Sequence, residues 1–199
     1  IINGYNRLEL ATNPNWLKRQ TYDLVLLSIG GNDILANAYE LMHNYQPGQG
    51  AEAHVNLDAL NQRIRTIKRN YLKLLLTIQD LLPEAKIAAH GYDYTIPNSN
   101  GDKIFGGLIS IGPWTEDDFI ERGIMDISLR QAITRIFIDT FNDMLKDIEA
   151  KPVYRFTHID LRNTLIDEAH WADDIHPSKS GVKLLASRLS DGIKAIRAA

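Results

Sequence analysis

The sequence lacks cysteine altogether. This absence excludes a disulfide scaffold, a thiolate metal site and a cysteine nucleophile, although it leaves the cellular compartment open. No apolar run approaches the roughly 18 residues of a membrane helix, so we predict no integral membrane segment. The sequence also has no excess of positive charge. It contains 22 Lys and Arg residues and 25 Asp and Glu residues, which give a net charge of −3. Such a chain has no field that attracts nucleic acid, and we predict no nucleic-acid partner.

What the sequence does contain is typical of a folded domain. Hydrophobic residues make up 44% and charged residues 24%, values that disfavour a disordered or low-complexity chain. A length of 199 residues suits one domain with a core of its own. We therefore treat residues 1–199 as a single domain.

Hydrophobic periodicity predicts strands that alternate with helices. Residues 22–29 form a short apolar run that stops at two glycines, which favours a strand buried on both faces. Between residues 54 and 82 apolar side chains recur at steps of three and four, as in one long amphipathic helix. The same patterns predict a strand at 86–91, a helix at 126–150, a strand at 155–161 and a helix at 178–198. This order predicts an α/β fold with a parallel sheet, in which ligands bind beyond the carboxyl ends of the strands.

Residues 92–125 show no steady period and are rich in glycine and aromatic residues. We predict a long loop or cap, and loops of this length are usually functional. In one interpretation an apolar acyl or sugar pocket is lined by Phe105 and Trp114 of this segment together with Trp171. In the other they pack locally and keep the loop ordered.

A glycine-rich turn, Gly30-Gly31-Asn32-Asp33, follows the first predicted strand. Glycines let the backbone turn sharply and come close to a ligand, which places the Asn32 amide at the end of the strand. An amide donor there can stabilise a developing oxyanion. Alternatively, Asn32 and Asp33 form a turn or cap the next helix.

A second motif, Asp173-Asp174-Ile175-His176-Pro177, follows the last predicted strand. The spacing lets the Asp173 carboxylate reach the His176 imidazole, orient its tautomer and stabilise its charged form, as a general base requires. Pro177 keeps His176 in an extended conformation ahead of the final helix. Asp174 is worse placed for this pairing, and the alternative is a surface histidine beside an acidic loop.

Metal binding is a weaker interpretation of the same residues. The remaining histidines lack ligand spacing, although Asp173, Asp174 and His176 on one loop could hold a divalent cation. We predict neither a metal nor another cofactor.

Taken together, the two motifs resemble those of the SGNH (GDSL-type) esterase and lipase family, and the resemblance spans nearly the whole chain. It implies a three-layer α/β/α sandwich with a mainly parallel, flavodoxin-like sheet. It also implies that Asp173 and His176 belong to a catalytic triad and that Asn32 lies in the oxyanion hole. Gly4, which follows an apolar pair, is in a plausible place for the oxyanion-hole glycine of the family. Gly30 and Asp33 would support the Asn32 turn.

The resemblance lacks one part, because no serine of this sequence follows a Gly-Asp pair as the nucleophile of the family does. Ser28 is the one serine near a predicted strand end, and we interpret it as a buried strand residue hydrogen-bonded to backbone. We expect the nucleophile to precede Ile1, so that the domain is incomplete at its N-terminus. Any signal peptide, which would direct the protein to secretion or the periplasm, would lie there too.

The resulting hypothesis is a serine ester hydrolase of the esterase, lipase or lysophospholipase kind. Its substrate would be a small-molecule ester, and the apolar character of residues 92–125 favours a lipid acyl chain. The alternative is a non-catalytic module that binds a lipid or glycan on the same fold. Localisation and oligomeric state stay open at this point.

Overall fold

The computed structural model describes residues 22–35, 37–97, 102–104, 109–111 and 114–198. The helices and strands are, in chain order, β1 (Leu24–Leu27), α1 (Gly31–Leu35), α2 (Leu57–Leu81), β2 (Lys86–His90), β3 (Asp102–Ile104), β4 (Ile109–Ile111), α3 (Glu116–Glu121), α4 (Ile127–Glu149), β5 (Phe156–Ile159) and α5 (Lys179–Ala198). Short 3₁₀ helices lie at Ala38–Leu41, Ala51–His54, Pro152–Tyr154 and Glu168–His170. Within this described part, no helix combines the length and apolar character that a membrane span needs.

Strands β1, β2 and β5 form a parallel sheet in the order β1-β2-β5. Leu24 pairs with Lys86 at one end of β1, and Ile87 pairs with Phe156 across the other side of β2. The predicted parallel sheet is confirmed. Because the strands run in one direction, the residues that follow Leu27, His90 and Ile159 all lie at the same edge.

Helices cover both faces of this sheet. Ile87 and Ala89 of β2 belong to a core that includes buried residues of α2 and α4, whereas Ala88 packs with residues of α5. Alternate residues of a strand point to opposite faces, so α2 and α4 lie on one side and α5 on the other. The predicted three-layer α/β/α sandwich is confirmed.

The long helices begin where side chains can cap them. The Asn56 carboxamide accepts a hydrogen bond from the Ala59 N–H at the start of α2, and the Asp126 carboxylate accepts one from the Leu129 N–H at the start of α4. Both use the side-chain oxygen to satisfy a backbone donor that has no partner inside the helix. The long amphipathic helix predicted between residues 54 and 82 is α2, and Pro83 follows it.

Strand β1 differs from its prediction. It spans Leu24–Leu27 rather than residues 22–29, and Leu26 is 40% exposed while Leu27 is fully buried. In the sheet that the structure describes, β1 lies at an edge. The prediction of a strand buried on both faces was wrong, since a continuous apolar run does not reveal which face is covered.

The segment 92–125, predicted as a long loop or cap, contains short regular elements. Strands β3 and β4 pair antiparallel as a small separate sheet, and α3 follows them. Each of these strands has three residues. Elements this short cannot establish a hydrophobic period, so the sequence did not indicate them.

His158 on β5 makes the free energy of unfolding depend on pH. Its Nε2–H donates to Asn142 Oδ1 at 3.1 Å, and burial lowers the pKa of His158 to about 4, although nearby Asp160 acts in the opposite direction. The unfolded chain binds this proton near pH 6.5, so the contribution of neutral His158 is present above that pH and is lost as the pH falls towards 4.

We therefore expect the wild-type protein to lose more stability between pH 7 and pH 4.5 than the variant His158→Gln, which cannot titrate. The difference should be about 1 kcal/mol or more, allowing for partial solvent exposure. Urea unfolding of both proteins at the two pH values measures it. Equal losses in the two proteins would contradict this assignment.

Candidate active site

A cavity of about 920 Å³ opens at the edge where β1, β2 and β5 end. Asn32 from the turn after β1, Tyr92 from the segment after β2 and Leu161 from the segment after β5 line it. Trp114 and His176 line it as well, so the two predicted motifs meet at one cavity.

The turn after β1 depends on both of its glycines. Gly30 has φ +103°, a left-handed conformation that other residues rarely adopt, and a Cβ there would lie 2.7 Å from the Phe141 ring. A Cβ on Gly31 would lie equally close to the ring of Tyr92. The backbone therefore bends sharply into α1, and Asn32 lies exposed in the first turn of that helix.

Tyr92 holds this turn in place, a role that the sequence did not reveal. Its hydroxyl accepts a hydrogen bond of 2.8 Å from the Gly31 N–H. Burial raises the pKa of Tyr92, so the hydroxyl stays protonated. Its position directly after β2, at the edge where ligands bind, was the available signal. Asp33, by contrast, is exposed and makes no hydrogen bond or ion pair with the described residues.

Asp93 joins the segments that follow β2 and β5. Its buried carboxylate accepts hydrogen bonds of 2.6–2.8 Å from the backbone N–H groups of Asn163, Thr164 and Leu165. It also accepts one from the Tyr94 N–H. Three of these four hydrogen bonds cross to the segment after β5, so this carboxylate is a clamp between two walls of the cavity.

The side chains of Asp173 and His176 form a hydrogen-bonded pair. Asp173 Oδ2 lies 2.8 Å from His176 Nδ1, and Asp173 Oδ1 accepts hydrogen bonds from the N–H groups of Ile175 and His176. The Asp173 side chain is 3% exposed and that of His176 is 57% exposed. Burial alone would raise the pKa of Asp173, but these hydrogen bonds outweigh it and lower the pKa.

This arrangement selects one tautomer of His176. An ionised Asp173 only accepts, so Nδ1 carries the proton and Nε2 is left as the basic nitrogen. Two backbone contacts fix the loop that carries the pair. The Ala172 N–H donates to the His176 carbonyl, and Trp171 forms an isolated antiparallel β-bridge with Pro177. The imidazole therefore projects from a fixed backbone towards the cavity that it lines.

Trp114 packs against this pair. Its indole Nε1–H points to Asp173 Oδ2 at 3.3 Å, and its ring meets the His176 ring edge-on at 5.6 Å. Asp174 holds Trp114 there, since its buried carboxylate accepts from the backbone N–H groups of Trp114 and Thr115 and from the Thr115 hydroxyl. Burial raises the pKa of Asp174 despite these donors. Asp174 thus fixes the backbone at Trp114, and its carboxylate makes no hydrogen bond to the imidazole in the described structure.

Ser28 contradicts its prediction. Instead of a buried strand residue bonded to backbone, it is exposed, lines the cavity and has its Oγ 2.8 Å from His90 Nε2. The physical reason is that β1 ends at Leu27, so Ser28 lies past the strand.

The remaining predicted site residues have mixed outcomes. Gly4 and Phe105 lie outside the described residues. Trp171 lines the cavity, and its buried Nε1 has no hydrogen-bond partner in the described part of the chain. Among the described residues, no group of three His, Asp or Glu side chains is arranged to hold a metal ion.

Comparison with known proteins identifies the class. The sequence profile of the GDSL-like lipases and acylhydrolases matches residues 6–189, and the chain belongs to this family. No curated protein sequence matches the chain.

Several solved structures are similar. One is a peptidoglycan O-acetylesterase, with 18% identity and a TM-score of 0.48 over 93% of this chain and 41% of that one. Another is a GDSL-like lipase from Parabacteroides merdae, with 13% identity and a TM-score of 0.49 over 94% of this chain and 66% of that one. A carbohydrate esterase of family 3 from Talaromyces cellulolyticus is also similar (14%, 0.45, 96% and 68%). The chain thus spans less than two thirds of the first two of these proteins.

Proposed function

We propose that the protein is a serine ester hydrolase that acts by acyl transfer, with His176 as the general base. The observation that carries this proposal is the Asp173–His176 pair, held by two further backbone donors and lining the same cavity as Asn32. Family membership supports it. Because the described chain is shorter than its structural relatives, the activity of the whole protein is part of the proposal.

In the first half-reaction a serine hydroxyl attacks the ester carbonyl while His176 Nε2 removes its proton. Asp173 stabilises the imidazolium that forms, since its carboxylate already accepts the Nδ1–H. The tetrahedral intermediate then collapses, and the imidazolium gives its proton to the departing alcohol. In the second half-reaction water attacks the acyl-serine with the same base, releasing the carboxylic acid and the free serine.

In this proposal the nucleophile lies outside the residues that the structure describes. Within the described residues, the hydrogen bonds of the His176 imidazole are to Asp173, and no serine hydroxyl contacts it. In the oxyanion hole we place the Asn32 amide, with the Gly4 backbone N–H as a second donor. Tyr92 is then a positioning residue, because its hydroxyl holds the backbone next to Asn32.

Covalent labelling tests this function. The complete protein, treated with a fluorophosphonate probe, is expected to carry one adduct on a serine, because phosphonylation needs an activated hydroxyl. Mass spectrometry of the digested adduct identifies that serine. A folded complete protein that neither labels nor hydrolyses a short-chain aryl ester would contradict the proposal and would favour the non-catalytic lipid- or glycan-binding module.

Asn32→Ala is expected to lower kcat for a short-chain aryl ester by about 10²- to 10³-fold with little change in KM, since the amide acts on charge that develops in the transition state. Steady-state kinetics on the complete protein measures kcat and KM separately. The matched control is Asn61→Ala, on the exposed face of α2. An equal effect of both substitutions, or a change confined to KM, would exclude Asn32 from the oxyanion hole.

A further inference from the structure

A serine–histidine pair, formed by Ser28 and His90, lies at the edge of the sheet and is not used in the proposed mechanism. Ser28 Oγ and His90 Nε2 are 2.8 Å apart, across the ends of β1 and β2. Both residues line the cavity that contains Asn32 and His176. Ser28 is exposed and His90 is partly buried, so a molecule in the cavity can reach the hydroxyl.

The hydrogen bonds of His90 determine which partner donates in this pair. His90 Nδ1 lies 2.7 Å from the Gly91 carbonyl oxygen, which can only accept, so Nδ1 carries the proton. Burial lowers the pKa of His90 despite this hydrogen bond, and the imidazole is neutral at pH 7. Nε2 is therefore a lone-pair acceptor, and the Ser28 hydroxyl must donate to it. The Tyr92 ring, edge-on to His90 at 5.6 Å, keeps the imidazole in this orientation.

This pair is poorly suited to nucleophilic catalysis. A base that removes a serine proton becomes an imidazolium, which the Asp173 carboxylate can stabilise at His176. At His90 the corresponding partner is the neutral carbonyl of Gly91, and burial disfavours the charged ring. The effect of His90 is instead to hold the Ser28 hydroxyl in one direction.

We propose that Ser28 is a specificity-determining residue that accepts a hydrogen bond from a hydroxyl group of the substrate. A serine hydroxyl has one proton and two lone pairs, and with the proton directed to His90 only lone pairs face the cavity. The substrate class that fits is an ester with a free hydroxyl near the scissile bond, such as an ester of a polyol or a hydroxy acid, in preference to a plain alkyl ester. This inference rests on the proposed function, since it requires ester hydrolysis in the cavity.

Matched substrates test the proposal on the complete protein. One pair varies the alcohol part, 2-hydroxyethyl against 2-methoxyethyl acetate, and another varies the acyl part, aryl hydroxyacetate against aryl methoxyacetate. Methylation removes the donor and keeps the oxygen. We expect the wild-type protein to favour the hydroxyl member of at least one pair by about 3- to 10-fold in kcat/KM, the effect of one neutral hydrogen bond.

Variants then assign this preference to Ser28. In Ser28→Ala the ratio within the discriminating pair should fall to about one, whereas Ser28→Thr, which keeps the hydroxyl, should restore it. His90→Phe should reduce the ratio as well, because the freed hydroxyl can rotate. Ser190→Ala, an exposed serine on α5, is the matched control and should keep the wild-type ratio.

The outcomes separate this inference from the function on which it rests. A wild-type protein that hydrolyses both members of each pair equally, or an Ser28→Ala variant that keeps the preference, overturns the role of Ser28 and leaves the ester hydrolase in place. A fluorophosphonate adduct on Ser28 also overturns it, since Ser28 would then be the nucleophile. Failure to hydrolyse any ester contradicts the proposed function itself.

Discussion

Replacing His176 by alanine is expected to lower kcat/KM of the complete protein for a short-chain aryl ester by about 10⁴-fold or more. In the proposed mechanism the imidazole accepts the proton of the nucleophile and returns it to the leaving alcohol, and no neighbouring group in the described structure is placed to do both. Asp173 would then have lost the partner that its carboxylate orients. Residual activity would come from binding and from the oxyanion hole.

This result requires that the variant fold. His176 is largely exposed, with 57% of its side chain accessible, so its truncation leaves no buried cavity and circular dichroism should be unchanged. His43→Ala is the matched control, because His43 is also exposed and does not line the cavity. Activity within a few-fold of wild type in His176→Ala would remove this residue from the mechanism.

Asp173→Asn is expected to lower kcat by about 10³- to 10⁴-fold through the tautomer of His176. The asparagine carbonyl can still accept from the N–H groups of Ile175 and His176, as Asp173 Oδ1 does. Its NH₂ group would then face Nδ1, so that Nδ1 must accept and the ring proton moves to Nε2. A ring protonated at Nε2 cannot take the proton of the nucleophile.

Steady-state kinetics and thermal unfolding together check this prediction. We expect a large loss in kcat with a small fall in Tm, since the substitution is nearly isosteric but places an NH₂ donor opposite the Trp114 Nε1–H. Asp191→Asn, at an exposed position of α5, is the control and should retain wild-type kinetics. Unchanged kcat in Asp173→Asn would show that the carboxylate is not needed to orient the imidazole.

Sequence periodicity predicted the layer that positions the site. The helices at 57–81, 127–149 and 179–198 and the strands at 86–90 and 156–159 lie where their spacing indicated, within a few residues. Each helix packs one apolar face against the sheet, which is what periodicity reports, whereas β2 is a short apolar run that is buried on both faces. The short 3₁₀ helices and the β3–β4 hairpin carry no such period and emerged only in the structure.

The candidate site was predictable where its residues are close in the sequence. Asp173 and His176 lie within one loop, so their spacing alone brought the carboxylate within reach of the imidazole. Tyr92 and Trp114 could not be assigned in this way. Their contacts with Gly31 and with Asp173 join segments that are far apart along the chain.

Ser28 shows the same limit most clearly. From the sequence it was a strand residue, because the apolar run around it continues to Ile29. The strand in fact ends two residues earlier, at Leu27, and parallel pairing with β2 brings the Ser28 hydroxyl to His90. A shift of two positions at a strand end decides whether a side chain is part of the sheet or of the cavity.

At the outset, the absence of cysteine and of a long apolar run excluded whole classes of protein, and the two local motifs indicated the family. Those conclusions depend on composition and on short-range spacing, which the sequence contains in full. The direction in which the Ser28 hydroxyl points, the clamp at Asp93 and the packing of Trp114 against His176 were decided only by the tertiary structure. They arise when parallel strands bring distant segments to one edge, and that arrangement depends on how the helices pack on the sheet.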